Sequence, residues 1–202
     1  MKRKIGGIDG KGCGVCIVDD IPELKSGQIQ VEVIASLISP GSELGRCSHL
    51  RKTPDPNVAT KPIGYANAGI VTRVGSDIKD LKVGQRVACM GAGYAFHADH
   101  VIIPQNLSVL IPDEVSFEEA AIAHLAGTAL HALRRTAPMY GEFGMVVGLG
   151  LVGQLCLQFG LLSGCHMAGM DKIALRTAKA VEGGAEKVII ADKEDLTKAT
   201  LD

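Results

Sequence analysis

The stretch KPIGYANAGIVTRVG, Lys61–Gly75, sets the reading of the chain. Gly64 punctuates a turn, and the run AGIVTRV that follows is rich in β-branched residues, which fit a pleated, half-buried surface. The expectation is a strand entered through a glycine turn. The same grammar extends to both sides. QIQVEVIAS, Gln28–Ser36, alternates Ile29, Val31 and Val33 against Gln30 and Glu32, the period of a strand with one buried face. QRVACM, DHVIIP and LSVLIP read as further short strands, separated by the turn chemistry of GSDIKDLKVG, GAGYAFH and PQN. Short strands at this spacing predict a small barrel or sandwich up to about Pro112.

After IPDEV the period changes. Ser116-Phe117-Glu118-Glu119 has the form of a capping box, with Glu119 placed to reach back to the Ser116 amide. A long Ala/Leu-rich helical pattern follows to about Thr136, with a break expected near Gly127. From Gly144 to Ile190 the order is strand, glycine turn, helix, strand, helix, strand. That alternation demands a parallel sheet with crossover helices. The expected organisation is an all-β domain over residues 1–115 and an α/β domain, with its linking helix, over 116–202.

Composition narrows the partners. With 47% apolar and 21% charged residues the chain is ordinary globular material. The net charge of −1, with both signs interspersed, gives no basic stripe for a nucleic acid. No apolar run approaches the roughly 18 residues of a membrane helix, so no membrane partner is expected. The start MKRKIGGIDG is basic but leads into no apolar segment, so it does not read as a secretory signal. Cys13, Cys16, Cys47, Cys89, Cys156 and Cys165 are scattered without a framework, which fits reduced thiols in a cytoplasmic protein.

Gly148-Leu149-Gly150-Leu151-Val152-Gly153 is a Gly-x-Gly-x-x-Gly run, a weak signal by itself. Context strengthens it: the apolar MVV precedes, a helix without proline follows, and the next strand, HMAGM, ends at the acid Asp171. Gly148 allows the tight turn, Gly150 lets backbone approach a pyrophosphate, and Gly153 permits close packing of helix on strand. Leu151 and Val152 open the helix whose free N–H groups would face the phosphates. Asp171 stands where a carboxylate accepts from a ribose 2′-hydroxyl, which favours NAD over NADP. Lys172 and Arg176 lie close enough to blur that preference. The plainer alternative is a packing turn of another α/β protein, with Asp171 as a helix cap.

Taken in order, IPELKSGQIQVEV, ISPGSE, GYANAGIVTRVG, DLKVGQRVA, HADHVIIP, IPDEVSFEEAA and GLGLVG resemble the medium-chain, zinc-type alcohol dehydrogenase superfamily over almost the full length. The resemblance implies a GroES-like β-barrel domain followed by a Rossmann domain, a doubly wound parallel sheet. Only the N-terminal half of that sheet is represented, so the strand MVV is expected to keep an open edge. Further Rossmann strands would be expected beyond Asp202, and a homo-oligomer for the complete form.

Carried across by position, the family's first zinc ligand falls on Pro40, ahead of Gly41-Ser42-Glu43. The second falls on Tyr65 and the third on His124. Proline offers no ligand and tyrosine a poor one, whereas zinc takes three protein ligands from Cys, His or carboxylate. The four-cysteine structural lobe of the family is missing too, since Cys89 runs almost directly into GAGYAFHADH. A zinc-free branch is therefore implied, with no metal and with Tyr65, Ser42 and His124 as catalytic candidates around the vacated position. Ser42 matches the family's proton-relaying Ser/Thr, and Thr128 falls where the family's helix passes the nicotinamide.

Blander roles stand beside these: a turn serine, a half-buried aromatic and a helix-surface histidine. The Cys13/Cys16 pair reads as chance, His97-Ala98-Asp99-His100 as structural, and LRKTPDPNVATKP (Leu50–Pro62) as a loop shaping access. The implied activity is NAD(P)-dependent hydride transfer on a small alcohol or carbonyl, polyol or sugar-like compounds included. A zinc-free quinone or enone reductase and a non-catalytic dinucleotide-binding or scaffold protein are the alternatives.

Overall fold

The computed structural model describes residues 1–193, so the Glu194–Asp202 end of the expected second domain lies outside the described residues. The chain forms two compact units, Met1–His124 and the residues from Leu125 on. In chain order the first unit contains β1 (Lys2–Ile8), β2 (Gly14–Asp20), β3 (Gln28–Ser36), α1 (Gly45–Lys52), β4 (Lys61–Pro62), β5 (Ala66–Val74), β6 (Arg86–Met90), β7 (His100–Pro104), β8 (Ser108–Leu110) and α2 (Phe117–Ala120). The strands pair antiparallel in two sheets, ordered β2-β1-β4 and β7-β3-β5-β6-β8. An isolated bridge pairs Ile5 of β1 with Ala98, which lies just before β7. Among the described residues no pairing joins the outer strands β7 and β8, so the expected β domain is built as two open sheets and not as a closed barrel.

Ile29 and Val31 of β3 pack with Val71, Val87, Val101 and Ile103 in the main core, as their alternation predicts. Gln30 departs from that pattern, being buried with its amide oxygen 3.5 Å from Arg73 Nη1. The register of β3 on β5 shifts between Gln30 and Val31, and such a bulge turns a residue away from simple alternation.

The capping box at Ser116 forms as its spacing predicts, with Ser116 N donating to Glu119 Oε2 at 2.8 Å and Glu119 N to Ser116 Oγ at 3.2 Å. The helix then breaks at Ala121–Ile122, not at Gly127, and resumes as α3 (Ala123–Thr136). Ala120 and Ala121 are buried against Ala68, Ala88 and Ile111, and that docking sets where α2 stops. Gly127 sits inside α3, where a glycine costs only about 1 kcal/mol relative to alanine. The Leu50–Pro62 segment is also less irregular than expected. It begins inside α1, where Leu50 is buried, and ends as β4.

The second unit alternates β9 (Phe143–Val147), α4 (Leu151–Leu162), β10 (His166–Asp171), α5 (Ala174–Glu182) and β11 (Lys187–Ile190). Its sheet is parallel, ordered β11-β10-β9, as the strand–helix alternation demands. Leu149, Leu157, Cys165, Met167 and Ala180 form the core beneath the helices. β9 is an outer strand among the described residues, with Phe143 and Val147 exposed. No helix among the described residues is long and apolar enough to cross a membrane.

Candidate active site and nucleotide-binding turn

Gly64 has a φ of +108°, and a Cβ there would stand 2.3 Å from the His97 amide nitrogen. Only glycine fits this turn, which delivers Tyr65 to the entrance of β5. Ser42 lies on the π-helical turn Pro40–Leu44. The structure brings the two hydroxyls to 3.5 Å and sets the Tyr65 ring edge-to-face against His124, with centroids 5.2 Å apart. Ser42 is exposed, Tyr65 and His124 half-buried. A formed O–H···O bond spans about 2.7–2.8 Å. The wider gap leaves each hydroxyl able to donate to a substrate oxygen placed between them.

The positions that the resemblance assigns to zinc ligands carry Pro40, Tyr65 and His124, a donor set that does not fit the ion. Among the described residues no group of three His, Cys, Asp or Glu could hold a metal ion.

Beside this pair lies a hydrogen-bonded set that the sequence reading passed over. Glu43 is buried, and its carboxylate accepts from Ser39 N at 3.1 Å and faces His97 Nε2 at 3.1 and 3.2 Å. His97 Nδ1 lies 2.9 Å from Ser36 Oγ. The His97 backbone also accepts from Gly6 N and donates to Ile63 O, so this residue fastens β1 to the turn before Tyr65. The structural role expected of His97 is present, but no spacing signal announced its partners, which stand 54 and 61 positions away.

In the second unit Gly148 has a φ of +96°, and a Cβ on Gly153 would fall 1.9 Å from Gly148 O. Gly150 caps α4 without a side-chain bond, and a Cβ there would meet nothing within 4 Å. Leu151 and Val152 open the helix. A cradle open above Gly150, closed below Gly153 and edged by helix N–H groups fits a pyrophosphate.

Asp171 is buried and tied into this turn. Its Oδ2 accepts from Leu149 N at 2.8 Å and Arg176 Nη1 at 3.3 Å, and its Oδ1 accepts from Ile173 N at 2.9 Å. The Ile173 N–H, then the Leu149 N–H and Arg176, hold its carboxyl below the usual range against the opposing effect of burial. Lys172 Nζ lies 3.3 Å from Asp192 Oδ1, and Thr128 is exposed on α3.

No family model matches the chain. It is 32% identical over 164 residues to the chloroplastic NADPH-dependent alkenal/one oxidoreductase of Arabidopsis thaliana, covering 76% of this chain and 41% of that protein. To quinone oxidoreductase 1 of Escherichia coli it is 33% identical over 149 residues, covering 72% and 45%. The Escherichia coli quinone oxidoreductase solved in complex with NADPH superposes with a TM-score of 0.78 at 27% identity, over 98% of this chain and 61% of that one. The chain belongs to the medium-chain dehydrogenase/reductase superfamily. It spans less than half the length of these two curated relatives. Within a medium-chain dehydrogenase/reductase, the antiparallel first unit takes the GroES-like place and the parallel second unit the Rossmann-like one.

Proposed function

We propose that this medium-chain dehydrogenase/reductase serves NAD(P)H-dependent reduction of a carbonyl-conjugated acceptor, a quinone or an enone, without catalytic zinc. The observation that carries the reading is the hydroxyl pair, Tyr65 and Ser42 at 3.5 Å, where the family's metal ligation is lost. The names of the alkenal and quinone reductases it resembles support it.

The bound nicotinamide supplies the hydride. Gly148, Gly150, Leu151, Val152 and Gly153 would hold its pyrophosphate at the N-terminus of α4, and Thr128 on the linking helix would contact the nicotinamide. Tyr65 donates a hydrogen bond to the substrate carbonyl oxygen, stabilising the negative charge that grows there as hydride adds. Ser42 donates the second bond and exchanges its proton with solvent, while His124 packs T-shaped against the phenol ring. Two hydroxyl donors suit a carbonyl acceptor better than a polyol, from which a proton must be removed.

Asp171 by itself would repel a 2′-phosphate. Arg176 lies on that carboxylate and offsets the repulsion, while the Lys172 ammonium faces Asp192. NADH and NADPH should then bind within about tenfold of each other, or about 1.4 kcal/mol.

The test is nicotinamide fluorescence titration of the chain with both cofactors, followed by single-turnover mixing with a quinone, an alkenal and, using oxidised cofactor, a polyol. Cofactor oxidation by quinone or alkenal is expected, slowed roughly ten- to ten-thousand-fold in Tyr65→Phe with binding unchanged. Polyol oxidation without enone or quinone reduction would return the reading to an alcohol dehydrogenase. A Tyr65→Phe rate equal to wild type would remove Tyr65 from the chemistry.

A further inference from the structure

Ser36, His97 and Glu43 take no part in the hydride transfer proposed above. Their exposure is graded. The Glu43 side chain is 7% exposed, that of His97 13%, and Ser36 lies on the surface. A carboxylate only accepts hydrogen bonds, so Glu43 fixes the tautomer of His97 in which Nε2 carries the hydrogen. That leaves the Nδ1 lone pair facing the Ser36 hydroxyl at 2.9 Å. The order is hydroxyl, base, carboxylate, with the base within hydrogen-bond reach of both neighbours.

Two further observations concern Ser36 itself. The register of β3 on β5 shifts between Val33 and Ala35, just before Ser36, and bulges of this kind re-aim the side chains beyond them. Ser36 and His97 also line a groove of about 590 Å³, together with Lys4, Val15, Ile38 and Ile63. Gly6 and Gly7 form part of its wall without side chains. Asp99, also in the groove, has Oδ1 engaged by Lys4 N at 2.9 Å and lies 3.4 Å from His100 Nδ1. The network thus ends on an exposed hydroxyl that lines this groove.

We propose that Ser36, His97 and Glu43 form a nucleophilic site that accepts acyl groups from small esters or thioesters. Ser36 Oγ bonds to the acyl carbon as its proton passes to His97 Nδ1. The bond from that carbon to the alcohol or thiol then breaks, and the leaving group takes the proton from His97. Water adds to the acyl-serine through the same base, releasing the carboxylic acid and restoring the hydroxyl. Glu43 faces the imidazolium that forms in each half, and Lys4 is the cation in the groove for the oxyanion. Val15, Ile38 and Ile63 suit a short apolar acyl chain.

The full chain is treated with a fluorophosphonate probe, the adduct is located by peptide mass spectrometry, and nitrophenol release from p-nitrophenyl acetate is followed. A Ser36 adduct is expected, and both reactions should fall by a hundredfold or more, as an order of magnitude, in Ser36→Ala and His97→Asn. Ser36→Ala removes one exposed hydroxyl and should melt like wild type, so it decides the matter even where His97→Asn fails to fold. No adduct on Ser36, or one formed at the same rate in His97→Asn, would overturn the proposal and leave the three residues as a structural pin.

Discussion

A Cβ added at Gly153 would stand 1.9 Å from Gly148 O, while one added at Gly150 meets nothing within 4 Å. The two glycines of one turn therefore stand in different surroundings, one closely packed and one open to the proposed ligand. Gly153→Ala must push α4 off the turn, and overpacking of this kind costs about 1–3 kcal/mol or more. Gly150→Ala loses only the advantage of glycine over alanine at a cap, about 1 kcal/mol or less, but places a methyl where the proposed pyrophosphate would approach. Urea unfolding and cofactor titration of both variants should separate the effects. Intact cofactor binding in Gly150→Ala would sink the assignment. Asp171 belongs to the same turn through its bond from Leu149 N. Its folded pKa lies below the ordinary 3.8, so its stabilising contribution is complete above that value and is lost as pH falls from there through the folded pKa. Melting followed from neutral to acidic pH should show wild type losing its advantage over Asp171→Asn in that window. A constant difference down to the lowest pH would mean that Asp171 contributes without its charge.

Among the elements, α2 depends most openly on a local device. Ser116 and Glu119 exchange side-chain and backbone bonds across three positions, and the resulting helix is only four residues long. Ser116→Ala should cost about 1 kcal/mol, the usual loss for a removed cap, read as a shift in denaturant midpoint with unchanged slope. This device was legible in the sequence because both partners fall within one helical turn, and the glycine turn before α4 was legible for the same reason. Features set by a distant partner were not. The burial of Gln30 follows from a register shift against β5, and the break at Ala121–Ile122 from docking on Ala68 and Ala88. His97 was read as structural, yet its bonds to Glu43 and Ser36 require the turn after β3 and the segment before β7 to meet. The Tyr65–Ser42 approach could be expected only through the family resemblance, since 23 positions separate the two residues.

Across the molecule, six thiols are distributed over both units, and their surroundings differ more than their spacing would indicate. Cys13 and Cys16 are exposed on the β1–β2 hairpin, while Cys89 is buried on β6 within the main core. Burial pushes the Cys89 thiol up to about 12 and shifts Cys156 upward in the same way. Alkylation proceeds through the thiolate and needs an accessible sulfur, and it is run at about pH 8. Timed alkylation at that pH, read peptide by peptide, should modify Cys13 and Cys16 first. Cys89 should stay unmodified until denaturant opens the first unit. Because Cys89 pairs in register with Asn67, one strand position into β5 from Ala66, its early modification would mean that the sheet carrying Tyr65 is not assembled as described. Metal content is a separate measurement on the same protein. Pro40 and Tyr65 cannot supply the thiolate and imidazole that zinc takes, so elemental analysis should find no stoichiometric zinc and a chelator should leave the labelling order unchanged. If Cys13 and Cys16 labelled only after chelation, a metal would sit on the hairpin and the metal-free account of the first unit would fail.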